Sequence, residues 1–229
     1  MSNQPGLTAT AVRLVASTVA YASLLFATAG TLAWPQAWAY LVVLVVVLGA
    51  YAVIVSTLHP DLVTERTRPP ADAKSWDKPL AVVVAVIGPL LLLVSAGLEQ
   101  RARGRVPAFS SVNWMGLVMV AAGGAFTNWA VASNRFFSAL VRIQRDRGHR
   151  VVDTGPYAWV RHPGYAGSTV ATFGAAWVLD SRWALGVAAA VTAVMVVRTN
   201  REDRVLQAEL DGYADYARRV RQRLLPGIW

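Results

Sequence analysis

Six apolar segments separated by short polar stretches constrain the fold of this chain more than any other feature of its sequence. Four have about the 20 residues that an α-helix needs to cross a bilayer, and the last two are shorter. They lie near residues 11–32, 34–58, 79–98, 112–132, 165–179 and 183–199. Because lipid cannot satisfy backbone hydrogen-bonding groups, these segments are expected to be helical. We therefore predict an all-α, polytopic integral membrane protein with about five to six transmembrane helices.

Composition and charge place the predicted loops relative to the membrane. The chain is 55% hydrophobic and 15% charged, with a mean hydropathy of +0.40. With six segments, eighteen of the 22 Lys and Arg residues lie on one side, and the other side holds only Arg101, Arg103, Arg105 and Arg182. Since cytoplasmic loops are enriched in Lys and Arg, we predict a multi-pass protein of the cell membrane with both termini cytoplasmic. These juxtamembrane positions account for the net charge of +9 without a nucleic-acid partner.

The sequence also excludes several kinds of chemistry. It contains no cysteine, so disulfides, thiolate nucleophiles and cysteine-ligated metal centres are excluded, and we predict no metal site. No basic region or persuasive cleavage site accompanies the first apolar segment, which is therefore expected to be a retained span rather than a signal peptide. There is no lipidation motif either.

The segment Gly155–Gly167, GPYAWVRHPGYAG, has the features of a ligand site placed between apolar runs. Pro156 can begin a short helix, and Pro163 forces His162 out of helical geometry, while the glycines let a ligand approach the backbone. Polar and aromatic groups beside hydrocarbon are costly unless a cavity or a cofactor satisfies them. Here they are Tyr157, Arg161, His162 and Tyr165.

The residues before and after this segment predict interfacial structure. From Asn134 to Asp153 charges alternate with apolar residues, which favours a segment at the cytoplasmic interface. Its predicted anchors are Phe136, Phe137, Leu140 and Ile143. In the earlier spans, Gly123-Gly124 predicts close helix packing and Pro89 predicts a kink.

The C-terminal region predicts a cytoplasmic amphipathic helix that follows the last apolar segment. Leu206, Leu210 and Tyr213 can share one face of it, and Asp211-Gly212 is expected to interrupt it. Arg198 and Glu202 are four residues apart, so they can form a charged pair on another face. Pro226 and Trp229 are expected to close the chain at the interface.

The Gly155–Gly167 motif, followed some 35 residues later by NREDRVLQAELDGYADYARRVRQRLLPGIW, resembles the isoprenylcysteine carboxyl methyltransferase family and the related phospholipid methyltransferases. The resemblance implies that S-adenosylmethionine is the cofactor. It also implies that the His-Pro segment and the acidic pair at the start of the C-terminal helix hold this cofactor. The implied contacts are Gly155, Pro156, Tyr157, His162, Tyr165, Gly167 and Glu202. Arg198 resembles an arginine for which recognition of the substrate carboxylate is implied.

Two regions follow from this resemblance. Residues 1–133 are predicted to be N-terminal transmembrane helices. Residues 134–229 are predicted to be a methyltransferase-like catalytic region with a cytoplasmic loop, a helical hairpin and the C-terminal helix.

The expected reaction is methyl transfer to a lipophilic acceptor that enters from the bilayer, with membrane lipids as the surrounding partners. A carboxylate such as that of an isoprenylcysteine needs no general base, and Arg198 or Arg161 can orient it through a two-point hydrogen bond. An amine or thiol acceptor must lose a proton, which makes Glu202, Asp203 and His162 candidate bases. The candidate catalytic residues are accordingly Arg198, Glu202 and Arg161.

The sequence alone leaves three alternative functions open. One is a methyltransferase that acts on phospholipids or other small lipids. Another is an NADPH-dependent membrane reductase resembling steroid 5α-reductase, whose C-terminal half is similar. The third is a non-enzymatic membrane scaffold in which the His-Pro region serves only as a turn.

Overall fold

The computed structural model describes residues 7–67, 72–225, 227 and 229, and these residues form helices and connecting segments without a β-strand. The helices are α1 (Leu7–Ala29), α2 (Pro35–Leu58), α3 (Pro60–Thr67), α4 (Asp77–Val82), α5 (Gly88–Arg103), α6 (Ser111–Ser133), α7 (Pro163–Val178), α8 (Arg182–Glu209) and α9 (Tyr213–Arg219). A π-helical turn, Val83–Ile87, joins α4 to α5, and two short 3-10 turns lie at Arg145–Arg147 and Gly155–Ala158.

The long helices confirm an all-α, multi-pass membrane protein. Within the described part of the chain, four helical stretches are long and apolar enough to cross a bilayer, namely Pro35–Leu58, Asp77–Arg103, Ser111–Ser133 and Arg182–Glu209. Helix α1 contributes a shorter apolar stretch, Leu14–Ala29, and α7 has 16 residues. The α7–α8 pair is the predicted hairpin, with its turn at Asp180 and Ser181.

Glycines bring α6 and α7 into close contact, as Gly123-Gly124 predicted for this region. A methyl group built on Gly123 would lie 2.5 Å from the Gly167 carbonyl oxygen, and one on Gly174 would lie 2.8 Å from the Gly116 oxygen. On the other side of α6, a methyl group on Gly124 would lie 2.5 Å from Val47 of α2. The backbones of α6 and α7 therefore approach too closely for larger side chains at these positions.

We predict that Gly167→Ala destabilises the helix bundle. Its added methyl group would lie 2.5 Å from the Gly123 oxygen, so α6 and α7 would have to separate at a cost of about 1–3 kcal/mol. Gly186→Ala on α8 is the matched control, because beyond its own helical turn no atom of the described residues lies within 4 Å of its added carbon. Thermal unfolding in detergent measures the difference, and equal midpoints for the two variants would contradict this packing.

The third span contains a π-helical turn ahead of Pro89 rather than a plain kink. Proline has no amide hydrogen, and the helix widens over Val83–Ile87, where the Gly88 amide donates to the Val83 oxygen. A methyl group on Gly88 would lie 2.6 Å from Val191, so this widened region packs directly against α8. The span thereby places α4 and its first residue, Asp77, beside the C-terminal half of α8.

The segment from Asn134 to Asp153 differs from its prediction as a lipid-anchored surface segment. Phe136 and Ile143 are buried within the protein, and Phe137 packs against a cluster formed by α2, α3 and α6. Ile143 instead joins Leu210, Tyr213 and Tyr216 in a second core, which Leu206 also contacts. The apolar positions face inward because distant helices offer protein surfaces to cover, α2, α3 and α6 for Phe137 and α8 and α9 for Ile143, which the local sequence does not reveal.

Chain breaks in the C-terminal region lie where the sequence predicts them. Helix α8 ends at Glu209, and Gly212 adopts φ +79°, a left-handed conformation that glycine tolerates, before α9 begins at Tyr213. The predicted interfacial role of Pro226 falls outside the described residues.

Candidate functional site

The Gly155–Gly167 motif forms a bent connection that enters α7. Gly155 has φ +59° and begins the 3-10 turn with Pro156, and His162 is non-helical directly before Pro163, the first residue of α7. The proline and glycine positions therefore set the local backbone as predicted. This geometry turns the side chains of the motif toward the ends of α8 and α9.

A cleft opens where α6 ends, α7 begins and α8 and α9 meet. It contains about 770 Å³ of empty space, a figure that includes the open solvent at its mouth. One wall is the segment 134–152, which we call the roof. The remaining lining residues are Tyr157, Arg161, His162, Gly164, Tyr165, Glu202, Leu206, Leu210, Tyr213 and Tyr216.

Asp203 is a fully buried carboxylate beneath the cleft. Its two oxygens accept hydrogen bonds from Nε and Nη2 of Arg161, both at 2.8 Å, and from the Tyr213 hydroxyl at 3.0 Å. The side chains of Arg223, Gln207 and His162 also contact this carboxylate, at 3.0, 2.8 and 3.3 Å. The arrangement ties the motif to α8, α9 and the C-terminal segment.

Arg161 uses its remaining N–H donors to hold the C-terminal segment. Its Nη1 donates to the Val220 and Arg221 carbonyl oxygens at 2.7 and 2.9 Å. Backbone hydrogen bonds from Arg161 to Gln222 and from His162 to Arg223 continue this contact. The guanidinium predicted to orient a substrate carboxylate is thus committed to Asp203 and the C-terminal backbone.

Arg198 is likewise committed, and to a residue far away in the sequence. Its Nε and Nη2 donate to the two oxygens of Asp77 at 2.7 and 2.9 Å, and Nη2 also donates to the Ala139 carbonyl. The predicted pair with Glu202 is replaced by this buried pair with Asp77. The two adjacent N–H groups that would bind both oxygens of a substrate carboxylate are therefore already bonded to Asp77.

Glu202 faces the cleft and is held by the motif. The Tyr165 hydroxyl donates to its Oε2 at 2.6 Å. The Tyr165 ring stacks on His162 at 5.7 Å between centroids, with 6° between the planes, and the Arg198 guanidinium carbon lies 5.2 Å from the centre of the same ring. Among the described residues, Oε1 of Glu202 has no hydrogen-bonding partner. One carboxylate oxygen therefore remains as an acceptor for a ligand.

Comparisons with known proteins find similar sequences and a similar fold among methyltransferases. The sequence model of the phospholipid methyltransferase family matches residues 112–210, from α6 to the end of α8. A probable protein-S-isoprenylcysteine O-methyltransferase of Oryza sativa subsp. indica, and its counterpart in subsp. japonica, are 39% identical over 57 residues, which is 24% of this chain and 30% of theirs. The eukaryotic intramembrane Ras methyltransferase ICMT (isoprenylcysteine carboxyl methyltransferase) has the same fold, with a TM-score of 0.54 and 18% identity over 94% of this chain and 77% of that one.

The aligned segment spans less than a third of the length of the rice relatives, whereas the fold extends over nearly the whole chain. The resemblance drawn from the two sequence motifs is confirmed by these matches.

The residues that the family motifs assign to a cofactor do not all lie in the cleft. Tyr157, His162, Tyr165 and Glu202 line it. Gly155 instead lies against Ser133 at the end of α6, and Gly167 lies against Gly123 and Thr127 of α6. These glycines permit helix and turn packing, which places the lining residues. The buried Pro156 is likewise part of the turn rather than of the lining.

Most of the lining residues were not identified from the sequence as site residues; among them are His149, Arg150, Tyr213 and Tyr216, which carry polar groups, and His149 is the most informative. Burial, followed by the charges of Arg142 and Arg147, lowers the pKa of His149 to about 4, so its ring is neutral at physiological pH. Its Nδ1 lies 3.3 Å from the Gln144 amide, which assigns the hydrogen to Nε2. Single polar residues in a basic loop carry no periodic signal that would have singled them out.

Arg142 anchors the roof of the cleft to α3. Its Nε and Nη2 donate to the two oxygens of Glu65 at 2.8 and 2.9 Å, and its Nη1 donates to Asp146 and Asp72. Arg147 pairs with Asp61 of the same helix. Much of the positive charge of this segment is therefore neutralised within the protein.

Proposed function

We propose that this protein is an integral membrane methyltransferase that uses S-adenosylmethionine and acts on a lipophilic acceptor, most simply the carboxylate of an isoprenylcysteine-like molecule. The observation that supports this best is the convergence of Tyr165, His162 and Glu202 on one cleft at the end of a membrane helix bundle. Similarity in sequence and fold to methyltransferases supports the proposed reaction class.

The lining groups fit the chemistry of the cofactor. The open Oε1 of Glu202 suits a hydroxyl or ammonium donor, and the aromatic ring of Tyr157 suits a purine or a sulfonium cation. Burial raises the pKa of Tyr157, so its hydroxyl stays protonated and neutral. When bound, S-adenosylmethionine supplies an activated methyl group, and the side chains have to orient the reactants and exclude water.

The roles proposed for the two predicted arginines change accordingly. Arg161 and Arg198 position the site, because the guanidinium of Arg161 is bound by Asp203 and that of Arg198 by Asp77. Of the three arginines that line the cleft, Arg142 and Arg161 are paired with carboxylates, whereas Arg150 is exposed and has no ionic partner among the described residues. Arg150 is our candidate for binding a carboxylate, either that of the cofactor or that of the acceptor.

Arg150→Gln is expected to weaken binding of the carboxylate-bearing ligand about tenfold, because a charged hydrogen bond is lost. Calorimetry compares S-adenosylmethionine with methylthioadenosine, which lacks the carboxylate. A loss limited to the first ligand assigns Arg150 to the cofactor, and a raised acceptor KM with unchanged cofactor affinity assigns it to the acceptor. Arg145→Gln is the control, since Arg145 is exposed on the same segment but outside the cleft. Identical behaviour of the two variants would remove Arg150 from the site.

Binding to the detergent-solubilised protein tests the proposed function directly. S-adenosylmethionine should bind and raise the melting temperature, whereas NADPH should not. Binding of NADPH alone would support the reductase alternative, and binding of neither would support a scaffold.

The acceptor is tested with labelled cofactor and a panel of prenylated thio-acids, fatty acids and aminophospholipids, in detergent and in liposomes. We expect labelling of the prenylated acids. Labelling of aminophospholipids would favour the second candidate, a phospholipid methyltransferase, which the match to that family model over residues 112–210 supports. Methylation confined to small water-soluble acceptors would contradict access from the bilayer.

We further propose that the cleft faces the cytoplasm of a cell with this protein in its cell membrane, with both termini on that side. The distribution of Lys and Arg supports this orientation. At the opposite end of the bundle, Arg103 pairs with Asp180, and Gly30 lies against Arg101. Reporter fusions test the orientation, and a cytoplasmic signal from the loop around Arg105 would contradict it.

A further inference from the structure

Asp77, the first residue of α4, is a fully buried carboxylate outside the cleft. It also lies outside residues 112–210, which the family model matches. The side-chain hydrogen bonds of Asp77, to the Val141 amide and to Arg198, lead to two walls of the cleft.

One set of interactions reaches the roof. The Val141 amide donates to Oδ2 of Asp77 at 2.8 Å, and the Lys74 amide donates to the Val141 carbonyl at 2.9 Å. Arg198, held by Asp77, donates to the Ala139 carbonyl at 2.8 Å. The backbone on both sides of Leu140, which lines the cleft, is thus fixed by the Asp77–Arg198 pair.

The other set reaches the opposite wall. Arg198 lies over the Tyr165 ring, and the Tyr165 hydroxyl donates to Glu202. Since Asp77 holds the Arg198 guanidinium at two points, it fixes where that cation lies against Tyr165. The position of the Glu202 carboxylate depends in turn on Tyr165.

We infer that Asp77 is a positioning residue that sets the distance between the roof and the Tyr165–Glu202 wall. A stabilising function alone explains it poorly, because buried ion pairs often contribute little net stability compared with apolar residues of similar size. The inference rests on the proposed function only where it concerns turnover. The spacing of the two walls is a property of the protein itself.

The chain offers a matched control at the far end of the bundle. Glu99 is also a buried carboxylate, and it accepts hydrogen bonds from the Ser181 hydroxyl and the Trp183 amide at 2.6 and 2.9 Å. It pairs with Arg103 as well. Glu99→Gln therefore disturbs a comparable polar network without touching the cleft.

The spacing is measured with spin labels, which the absence of native cysteines makes straightforward. Labels on Ala139→Cys in the roof and Ala208→Cys on α8, both exposed positions, report one distance distribution. Asp77→Asn should broaden or shift this distribution, whereas Glu99→Gln should leave it as in the unsubstituted background. An unchanged distribution in Asp77→Asn would overturn the inference, whether or not the cofactor binds.

Turnover provides a second readout at temperatures well below unfolding. Asp77→Asn should lower kcat on the order of 10-fold to 100-fold, as expected when reacting groups are displaced by about an ångström. Glu99→Gln should retain kcat even where its melting temperature falls equally. Equal kcat losses in the two variants would overturn the inference. If the wild-type protein itself binds no S-adenosylmethionine, the proposed function fails, and the spin-label distances alone decide the role of Asp77.

Asp77→Glu keeps the experiment decisive if the asparagine variant does not fold. It retains the charge and the pair with Arg198 but moves the carboxylate by one methylene group. The distance distribution should shift and kcat should fall, while the melting temperature changes less than in Asp77→Asn. Wild-type distances and kcat in a folded Asp77→Glu protein would contradict a positioning role.

Discussion

Asp203→Asn is expected to be the most destabilising single substitution considered for the C-terminal half. The carboxylate is fully buried and neutralises Arg161, which is buried as well, so the asparagine would leave that cation without its counter-charge. Removing one partner of a buried pair costs about 3–5 kcal/mol. We expect a lower melting temperature and earlier proteolysis of the C-terminal segment, whose backbone is attached to the motif through Arg161.

Asp215→Asn on α9 is the control for this experiment. Asp215 pairs with Arg218 at the surface, where such pairs contribute about 0–1 kcal/mol. Melting curves and limited proteolysis should therefore match those of the wild type. If Asp203→Asn has the same melting temperature as Asp215→Asn, the interactions around Asp203 do not hold the C-terminal segment in place.

Glu202→Gln should have the largest effect on cofactor affinity. The substitution removes the negative charge from the acceptor that faces the cleft, and hydrogen bonds to charged groups contribute about 1.5–3 kcal/mol, or on the order of 10-fold to 100-fold in Kd. Tyr165→Phe should have a smaller effect in the same direction, since it removes only the hydrogen bond that orients this carboxylate. Calorimetry with S-adenosylmethionine measures both.

Glu209→Gln is the matched control on the same helix. Glu209 pairs with Lys74 outside the cleft, so its amide variant should bind the cofactor like the wild type. A wild-type Kd for Glu202→Gln would exclude Glu202 from the cofactor site. A larger effect for Tyr165→Phe than for Glu202→Gln would instead assign the direct contact to the tyrosine.

Two buried arginine–aspartate pairs organise this site from different parts of the chain. The Arg161–Asp203 pair joins the motif to the C-terminal helices, and the Arg198–Asp77 pair joins α8 to the third span and the roof. Planar guanidinium groups held at two points have a defined orientation, so each pair fixes geometry as well as charge. The cleft is therefore assembled by interactions that lie mostly behind its lining.

The sequence by itself determined the features that depend on local chemistry. Apolar runs of membrane length predicted the helices, because lipid forces a chain to satisfy its own backbone hydrogen bonds. Pro163 and Gly212 predicted breaks that the structure contains, since proline and glycine act on the backbone wherever the chain folds. The two motifs carried the resemblance to the isoprenylcysteine carboxyl methyltransferases, and four of their residues line one cleft, namely Tyr157, His162, Tyr165 and Glu202.

Only the tertiary structure decided which groups pair and which way they face. The partner of Arg198 is Asp77, 121 residues away, although Glu202 lies one turn along the same helix. Gly167 belongs to the α6 contact rather than the cleft lining, and Phe136 is covered by protein rather than lipid. Spacing along a helix indicates which residues share a face, but it does not indicate which part of the protein that face will contact. A buried charge selects its partner through distance and desolvation, and both are set by the packing of distant helices.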